Sequence, residues 1–437
     1  GITDMSSLID HPGSAGSFSR RKLLQAAGLG GLAWLSPLTH MLGRAQEIQP
    51  KNAKAKSVII LWMAGGPSQL ETFDPHPGQK IAGGTDAINT AVKGVRIASG
   101  LPQMAEVVDE LTIVRSMISQ EGDHERAAYN MKTGYRPVPA LVHPSIGAVL
   151  CHELPEPGVD IPRHISILPD QWPARGGYLG AHFDAFKVYD SLGRAENMSA
   201  RVKPRRQEKR LEALKVIEDS FLLGRRFDLD NKTTLHNITV KRALAMMNSN
   251  KLDAFDVSKA STHTREKFGD TNFGRGCLAA IQLVEAGVGC VEVTLRGWDT
   301  HINNHEGHAK LNAILDPAFS ALIGELRARD MLDRTVVICA GEFGRTPKIN
   351  ALDGRDHWPK GFSAVLAGGG FKSGYVHGKT DPEGKNDGPE DPVRVSDIHS
   401  TVLHQLGIAY DKEVMTPIGR PMRLSEGNVI KSLLKPT

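Results

Sequence analysis

The sequence predicts an α/β sandwich built on a mostly parallel sheet. Apolar, β-branched runs recur along the chain, and nearly continuous hydrophobicity is typical of strands that are buried on both faces. Helical patterns separate these runs, and such alternation favours a sheet covered by helices. The predicted strands span residues 57–66, 111–117, 164–168, 287–295, 334–343 and 362–370.

The predicted helices lie where a sandwich needs them. Each has apolar residues at helical spacing, and each precedes a strand or closes the chain. They span residues 101–110, 274–287, 307–332 and 395–407. The polar, charged stretch of about 195–270 breaks this order. We interpret it as a helical insertion over the sheet, whose basic run is a solvated helix face rather than an anion channel.

The composition indicates a soluble globular protein. Of 437 residues, 40% are hydrophobic and 23% charged, which is ample for a sizeable core. The net charge of +4 is too small to indicate a nucleic-acid partner, and no basic run is interleaved with aromatic residues. The four cysteines form no CxxC pair, so we expect buried free thiols and no disulfide framework.

Residues 1–55 resemble an export signal followed by a linker. The segment "SRRKLLQAAGLGGLAWLSPL" places Arg20 and Arg21 before a short apolar region. This pattern is typical of twin-arginine signals, and the alternative is an amphipathic anchor. We expect the export machinery as a partner, a mature protein that begins between residues 45 and 56, and a periplasmic or secreted location. No other segment has the pattern of a stable membrane span.

Polar clusters follow the predicted strands, where open α/β sheets carry their sites. Ser68 lies after the first strand and either binds an anion with a helix N-terminus or caps a helix. His124 and Arg126 lie after the second strand. That histidine could bind a metal or transfer protons, and the alternative is a helix cap with a surface salt bridge.

The loop "RGWDTHINNHEGH" after the fourth strand is the richest cluster. It places Asp299, His301, His305 and His308 within ten residues. Carboxylate and imidazole groups at this density suit a divalent metal such as zinc, and the alternative is a solvated polar loop.

The segment "AGEFGRTPKINALDGRDHWP" after the fifth strand adds a second group of candidates. Glu342 follows the strand directly, and a later turn supplies Asp356 and His357. Arg345 either pairs with Glu342 or clamps an oxyanion. We therefore expect either the rim of a site or a loop closed by salt bridges.

The motifs "GGPSQLETFDPHPG", "HERAAYNMKTG", "GWDTHINNHEGH", "GEFGRTPKIN" and "GRDHWP" resemble the domain-of-unknown-function 1501 family. The resemblance covers about residues 55 to 430 and implies one domain over 56–437. The family looks like a branch of the alkaline phosphatase-like superfamily, which includes sulfatases. The resemblance therefore implies a three-layer sandwich with metal-binding Asp and His at the strand ends.

The sequence departs from the superfamily pattern at three places. The first strand ends in Gly65–Gly66 rather than a metal-binding Asp. "GDHERAAYNMKTG" has no Cys, Ser or Thr at the nucleophile position, which argues against formylglycine chemistry. "GEFGR" stands where an Asp-His pair is usual. Ser68 remains the candidate nucleophile, and direct attack by water is an equal alternative.

Two functions follow from the resemblance, and a third follows from the twin-arginine signal. The first is a metal-dependent hydrolase of phosphate or sulfate esters, in which Arg126 and Arg345 stabilise anionic charge. The second is a non-catalytic pseudoenzyme that binds a glycan or a surface partner. The third is a redox or cofactor-binding export protein. The first requires zinc, manganese or calcium, and the candidate ligands are Asp299, His301, His305, Glu342, Asp356 and His357.

Overall fold

The computed structural model describes residues 55–155, 158–192, 202–223, 240, 243–385 and 388–436. Its strands are β1 (Ser57–Ala64), β2 (Ala87–Asn89), β3 (Arg96–Ala98), β4 (Leu111–Ile118), β5 (His164–Ile167), β6 (Phe186–Val188), β7 (Cys290–Arg296), β8 (Thr335–Ala340), β9 (Gly344–Arg345), β10 (His357–Trp358), β11 (Phe362–Ala367), β12 (Tyr375–His377), β13 (Val393–Arg394), β14 (Glu413–Met415) and β15 (Pro421–Arg423).

Its α-helices are α1 (Pro102–Glu106), α2 (His124–Thr133), α3 (Ile146–Glu153), α4 (Pro204–Leu223), α5 (Thr262–Lys267), α6 (Asn272–Glu285), α7 (Asn304–Ala328) and α8 (Val395–Gln405). None of these described helices is both long and apolar enough to cross a bilayer.

Nine strands form one sheet in the order β12-β4-β11-β8-β1-β7-β5-β6, with β13 also paired to β4. The central strand β1 runs parallel to both β7 and β8. Among these nine strands β11 runs antiparallel to its neighbours β4 and β8. The predicted mostly parallel sheet is confirmed, and all six predicted strands belong to it.

The sheet carries helices on both faces, which confirms the three-layer sandwich. Alternate residues of a strand point to opposite faces. Ile59, Leu61 and Met63 of β1 pack in a core with α6 and α7, whereas Val58 packs in a second core with α3 and α8. Both faces of the central strand are therefore covered, as its uninterrupted hydrophobicity predicts.

The predicted insertion, 195–270, falls partly outside the described residues. Its described part contains α4, α5 and two 3-10 turns, Asn250–Phe255 and Val257–Lys259. The basic side chains near the start of α4 are exposed, as expected for a solvated helix face: Arg205, Arg206, Lys209 and Arg210. The predicted signal segment, apart from Ala55, also lies outside the described residues.

The cysteines match the expectation for a chain without a disulfide framework. All four are free and buried: Cys151, Cys277, Cys290 and Cys339.

Candidate metal centre

Loops that follow β4, β7 and β8 bring polar side chains together at the carboxyl edge of the sheet. His124 begins α2 after β4, and Asp299 and His301 follow β7. His357 lies in β10. This strand pairs with β9, so that His357 lies opposite Arg345 in the segment after β8. We call the side chains of His124, Asp299, His301 and His357 the histidine–aspartate cluster.

Asp299 lies at the centre of this cluster. Its Oδ1 is 3.1 Å from Nε2 of His301 and 3.5 Å from Nε2 of His357. Its Oδ2 is 3.3 Å from Nε2 of His124. One carboxylate therefore faces the same ring nitrogen of three histidines.

The other nitrogen of each ring is held by an oxygen that can only accept a hydrogen bond. Each Nδ1 must therefore carry the hydrogen, and in the neutral ring each Nε2 offers a lone pair. This arrangement orients metal-binding histidines in known sites. The three pairs are His124 Nδ1 with Glu342 Oε1 at 2.7 Å, His301 Nδ1 with Asp356 Oδ1 at 2.9 Å, and His357 Nδ1 with the Gly122 carbonyl oxygen at 2.7 Å.

The donor atoms of the cluster fit a divalent cation. Nε2 of His301 and Nε2 of His357 are 3.0 Å apart, so their lone pairs repel unless a cation or a shared proton lies between them. Nε2 of His124 is buried without a hydrogen-bond partner, although Oδ2 of Asp299 lies 3.3 Å away.

The spacing of the donor atoms also suits zinc. One donor atom each from His124, Asp299 and His357 lies within 4.8 Å of the other two. Ligands about 2.0–2.1 Å from a tetrahedral zinc ion lie about 3.3 Å from one another. The separations of 3.0 to 3.5 Å around Asp299 and the two facing imidazoles bracket this value.

The charges of the cluster also favour a cation. Burial raises the pKa of Asp299, but the hydrogen bond and charge of Arg345 outweigh it, so the pKa lies below its ordinary value. Burial, with the charge of Arg345, lowers the pKa of His357. Burial lowers the pKa of His124 too, but the hydrogen bond and charge of Glu342 raise it overall. An ionised Asp299 and a neutral His357 are the states that bind metal, whereas the raised pKa of His124 favours a protonated ring, from which a metal must displace a proton.

Glu342 and Arg345 do not pair with each other through a hydrogen bond. Glu342 Oε1 accepts from Nδ1 of His124 and, at 3.0 Å, from the backbone N–H of Gly65. Arg345 Nη2 is 2.7 Å from Asp299 Oδ1. Both residues belong to the cluster's surroundings, but they act on different members of it.

Arg345 is in no position to clamp a substrate anion. Its side chain is 0% exposed. Besides Asp299, its guanidinium donates to the backbone carbonyl oxygens of Gly65, Gly66 and Arg355. It therefore holds Asp299 in place and neutralises part of its charge.

Two other predicted catalytic residues have their contacts outside the cluster. Ser68 is 0% exposed, and its hydroxyl oxygen accepts from the backbone N–H of Leu70 at 3.3 Å. Arg126 pairs with Glu121 at 2.7 Å, and its side chain is 47% exposed. For Arg126 the structure matches the surface salt bridge that the sequence left open.

The predicted metal ligand His305 belongs to a separate polar group. Its Nδ1 lies 3.3 Å from Oε1 of Glu71, and the same oxygen is 2.8 Å from Nη2 of Arg355. His308 is buried in the same region, where its Nε2 accepts the backbone N–H of Ser68 at 2.8 Å. Only one of the three histidines in "THINNHEGH" therefore reaches Asp299 through a contact in the described part of the chain.

Aromatic residues complete the surroundings of the cluster, and sequence analysis did not select them. The buried ring of Phe343 lies 5.0 Å from His124 and 4.4 Å from His357, measured between ring centroids. Trp172 lies nearly parallel to His124 at 6.1 Å and 10°. A signal for Trp172 did exist, since "LPDQWPARGG" directly follows β5 at the same edge of the sheet.

The fold and the cluster define an α/β sandwich protein with a candidate metal centre at the carboxyl ends of its parallel strands. The chain belongs to the family described as "Protein of unknown function (DUF1501)", whose profile matches residues 55–434. The family resemblance of the sequence is thereby confirmed. A comparison with curated proteins gives no match.

Several solved structures are similar to the chain at low sequence identity. A sulfatase from Pseudoalteromonas sp., PsFucS1, is 13% identical with a TM-score of 0.38, covering 84% of this chain and 71% of that one. The phosphonate monoester hydrolase SpPMH from Silicibacter pomeroyi is 12% identical with a TM-score of 0.34, covering 88% and 78%. Alkaline phosphatase from the Antarctic bacterium TAB5 is 14% identical with a TM-score of 0.34, covering 81% and 98%.

Proposed function

We propose that the chain is an exported, metal-dependent hydrolase of phosphate or sulfate esters. One observation carries the proposal: three imidazoles, each fixed through Nδ1, direct Nε2 towards a single carboxylate. Such a donor set binds zinc or a similar divalent ion.

The side chains divide into ligands and the groups that orient them. His124, Asp299, His301 and His357 would hold the ion. Glu342 and Asp356, predicted as ligands, orient His124 and His301 instead. Arg345 fixes Asp299. When bound, the ion would polarise the ester oxygen and stabilise its developing negative charge.

The attacking group in this proposal is water. The segment that resembles the nucleophile segment of sulfatases has no Cys, Ser or Thr at that position, and His124 is the nearest residue. Ser68 is buried, and its hydroxyl oxygen accepts from the backbone N–H of Leu70. Asp299 and His301 are the accessible members of the cluster, with side chains 46% and 42% exposed. Substrate and water therefore approach from the side of these two residues.

Metal content tests the proposal directly. The protein is purified from the periplasm and its zinc, manganese and calcium are measured by mass spectrometry. About one ion per chain is expected in the wild type, and Asp299→Ala and His357→Ala should lose it. His305→Ala is the matched control, because it removes a histidine of the same loop outside the cluster. A wild-type protein without metal would contradict the proposal.

A panel of aryl phosphate, phosphodiester and aryl sulfate esters then tests the reaction. Turnover that falls at least about 100-fold in Asp299→Ala supports a hydrolase. Metal binding without turnover of any ester would favour the second candidate, a non-catalytic protein that binds an anionic glycan. The engagement of Arg126 and Arg345 by protein groups is the observation that favours this second candidate.

Export has its own test. The double variant Arg20→Lys/Arg21→Lys keeps the charge but removes the arginine pair that the twin-arginine machinery recognises. Cell fractionation should find the wild type in the periplasm or medium and the variant in the cytoplasm. Equal distribution of both would contradict the export proposal.

A further inference from the structure

Trp172 lies beside the histidine–aspartate cluster and is only partly buried. Its ring is nearly parallel to His124, which supplies one of the donor nitrogens. It is half-buried, and it packs against a small apolar cluster formed by Trp62, Ala64 and Ala128. Trp172 as a residue is therefore partly accessible beside the site.

Trp62, in the same apolar cluster, is a fully internal tryptophan. It is 2% exposed, and the ammonium of Lys132 lies 4.9 Å from its ring centroid. Trp62 fills the interior under the site, whereas Trp172 packs at the edge of the same apolar cluster and keeps part of its surface accessible.

A buried ion pair fixes the backbone that carries Trp172. Lys132 Nζ donates to the Trp172 carbonyl oxygen at 2.9 Å and lies 2.9 Å from Glu292 Oε1. Both charged side chains are buried, at 7% and 1% exposure. Burial of a paired charge holds its partners in a narrow range of positions.

Two further contacts fasten the loop on either side of Trp172. The guanidinium of Arg296, at the end of β7, donates to the carbonyl oxygen of Pro169. The carbonyl oxygen of Arg175 accepts the backbone N–H of Ser145 at 2.8 Å. The backbone of the loop is therefore held before, at and after the tryptophan, which limits where the ring can lie before any ligand arrives.

We propose that Trp172 is a specificity-determining residue that stacks on a ring in the alcohol part of the ester. The ring offers a flat apolar face, either aryl or pyranose, while its phosphate or sulfate group lies at the histidine–aspartate cluster. Indole is the largest aromatic face in proteins and stacks on such rings. The inference rests on the proposed function for the anionic end of the ligand, and it adds the chemistry of the other end.

The test uses binding rather than turnover, so that it does not depend on activity. Three phosphonates that resist hydrolysis are titrated calorimetrically into the zinc-loaded full chain: methylphosphonate, phenylphosphonate and a C-glucosyl phosphonate. The variants are Trp172→Ala, the conservative Trp172→Phe, and Tyr189→Ala as a control. Tyr189 is 70% exposed and follows β6, so it removes an aromatic side chain without touching the cluster.

We expect at least one ring phosphonate to bind wild type about tenfold or more tightly than methylphosphonate. Trp172→Ala should abolish this preference, Trp172→Phe should restore part of it, and Tyr189→Ala should keep it. The ring that shows the preference distinguishes an aryl from a pyranose substrate.

Equal binding of all three phosphonates by wild type, or a preference that survives in Trp172→Ala, overturns the inference. Failure of every phosphonate to bind overturns it together with the anionic-ester proposal. Ring-dependent binding with no turnover of esters leaves the Trp172 subsite standing and overturns only the hydrolase assignment.

Discussion

Glu342 accepts two hydrogen bonds at the inner side of the histidine–aspartate cluster. One comes from Nδ1 of His124 and the other from the backbone of Gly65. Glu342 is 0% exposed, so both hydrogen bonds are shielded from solvent. Glu342 thus fixes which nitrogen of His124 faces Asp299.

Removing this carboxylate should weaken metal binding without removing a ligand. We expect Glu342→Ala to lower zinc affinity about 10- to 100-fold, the usual effect of losing a group that orients a ligand. Glu342→Gln keeps an acceptor and should lose less. Competition with a chromophoric chelator measures the affinity. Glu121→Ala is the control, since Glu121 pairs with Arg126 and Arg136 outside the cluster. Equal affinity in Glu342→Ala and Glu121→Ala would contradict the prediction.

The sequence predicted which loops meet but not which side chains face each other. Asp299, His301 and His357 follow from the rule that parallel strands place their carboxyl ends at one edge. His305 does not reach Asp299 because it lies in the first turn of α7, which directs it to Glu71. The direction of a side chain near a helix start depends on the residue at which the helix begins. Here Asn303, with a φ of 49°, is the residue before the helix, so His301 lies in the loop and His305 lies in the helix.

Among the elements, the turn after β1 packs directly on the loop after β7. Gly65 has a φ of 116°, and a Cβ there would overlap the backbone nitrogen of Asp299. This glycine turn lets Asp299 approach the end of β1 closely.

A methyl group at Gly65 should therefore displace Asp299. We expect Gly65→Ala to fold but to bind zinc at least about tenfold more weakly, because a shifted carboxylate loses the geometry that the histidines share. Gly84→Ala is the matched control: its φ is 100°, and no heavy atom lies within 4 Å of its Cβ position. Chelator competition and thermal unfolding are measured for both. Similar zinc affinities in the two variants would refute the steric argument.

The pair Lys132–Glu292 joins α2 to the middle of β7 beneath the site. A buried charge that loses its partner costs about 3–5 kcal/mol. We expect Lys132→Met to lower the free energy of unfolding by that amount in urea titrations, and Lys132→Met/Glu292→Gln to recover part of it. Lys310→Met removes an exposed pair with Glu306 and should cost at most about 0.5 kcal/mol. A double variant no more stable than Lys132→Met would argue against a charge effect.

The sheet was more predictable than its connections. Hydrophobic runs identify β1, β4, β5, β7, β8 and β11, because strands buried on both faces exclude polar residues. The antiparallel direction of β11 was not predictable, since its run "FSAVLA" is as fully buried as the run "TVVICA" of β8, which runs in the opposite direction. The direction of β11 depends on the path of the segment between β8 and β11. In this segment β9 and β10 pair antiparallel, which reverses the chain before β11 begins.

At the scale of the whole molecule, four buried histidines among the described residues couple the fold to pH, because burial lowers the pKa of each: His143, His164, His308 and His399. His143, His308 and His399 are each at most 5% exposed. Burial lowers the pKa of these three from 6.5 to about 4. Each ring is therefore neutral in the folded protein at pH values where the unfolded chain would be protonated.

The sign of the effect follows from proton binding. Between pH 6.5 and about 4 the unfolded state binds more protons than the folded state, so the free energy of unfolding falls as pH is lowered. Each of these three histidines contributes a loss of up to about 3 kcal/mol across this window. His399→Gln should remove one such contribution, because glutamine can still donate to the Met131 carbonyl oxygen that the ring contacts at 2.8 Å.

Urea unfolding of the chelator-treated protein at pH 7, 5.5 and 4 measures this loss free of metal binding. We expect the wild type to lose stability steadily over this range and His399→Gln to lose about 3 kcal/mol less. An NMR titration of the folded protein should leave the His399 ring neutral at pH 5.5. Stability that is constant between pH 7 and 4, or a His399 ring that is protonated at pH 5.5, would show that the buried histidines do not control the acid stability of this fold.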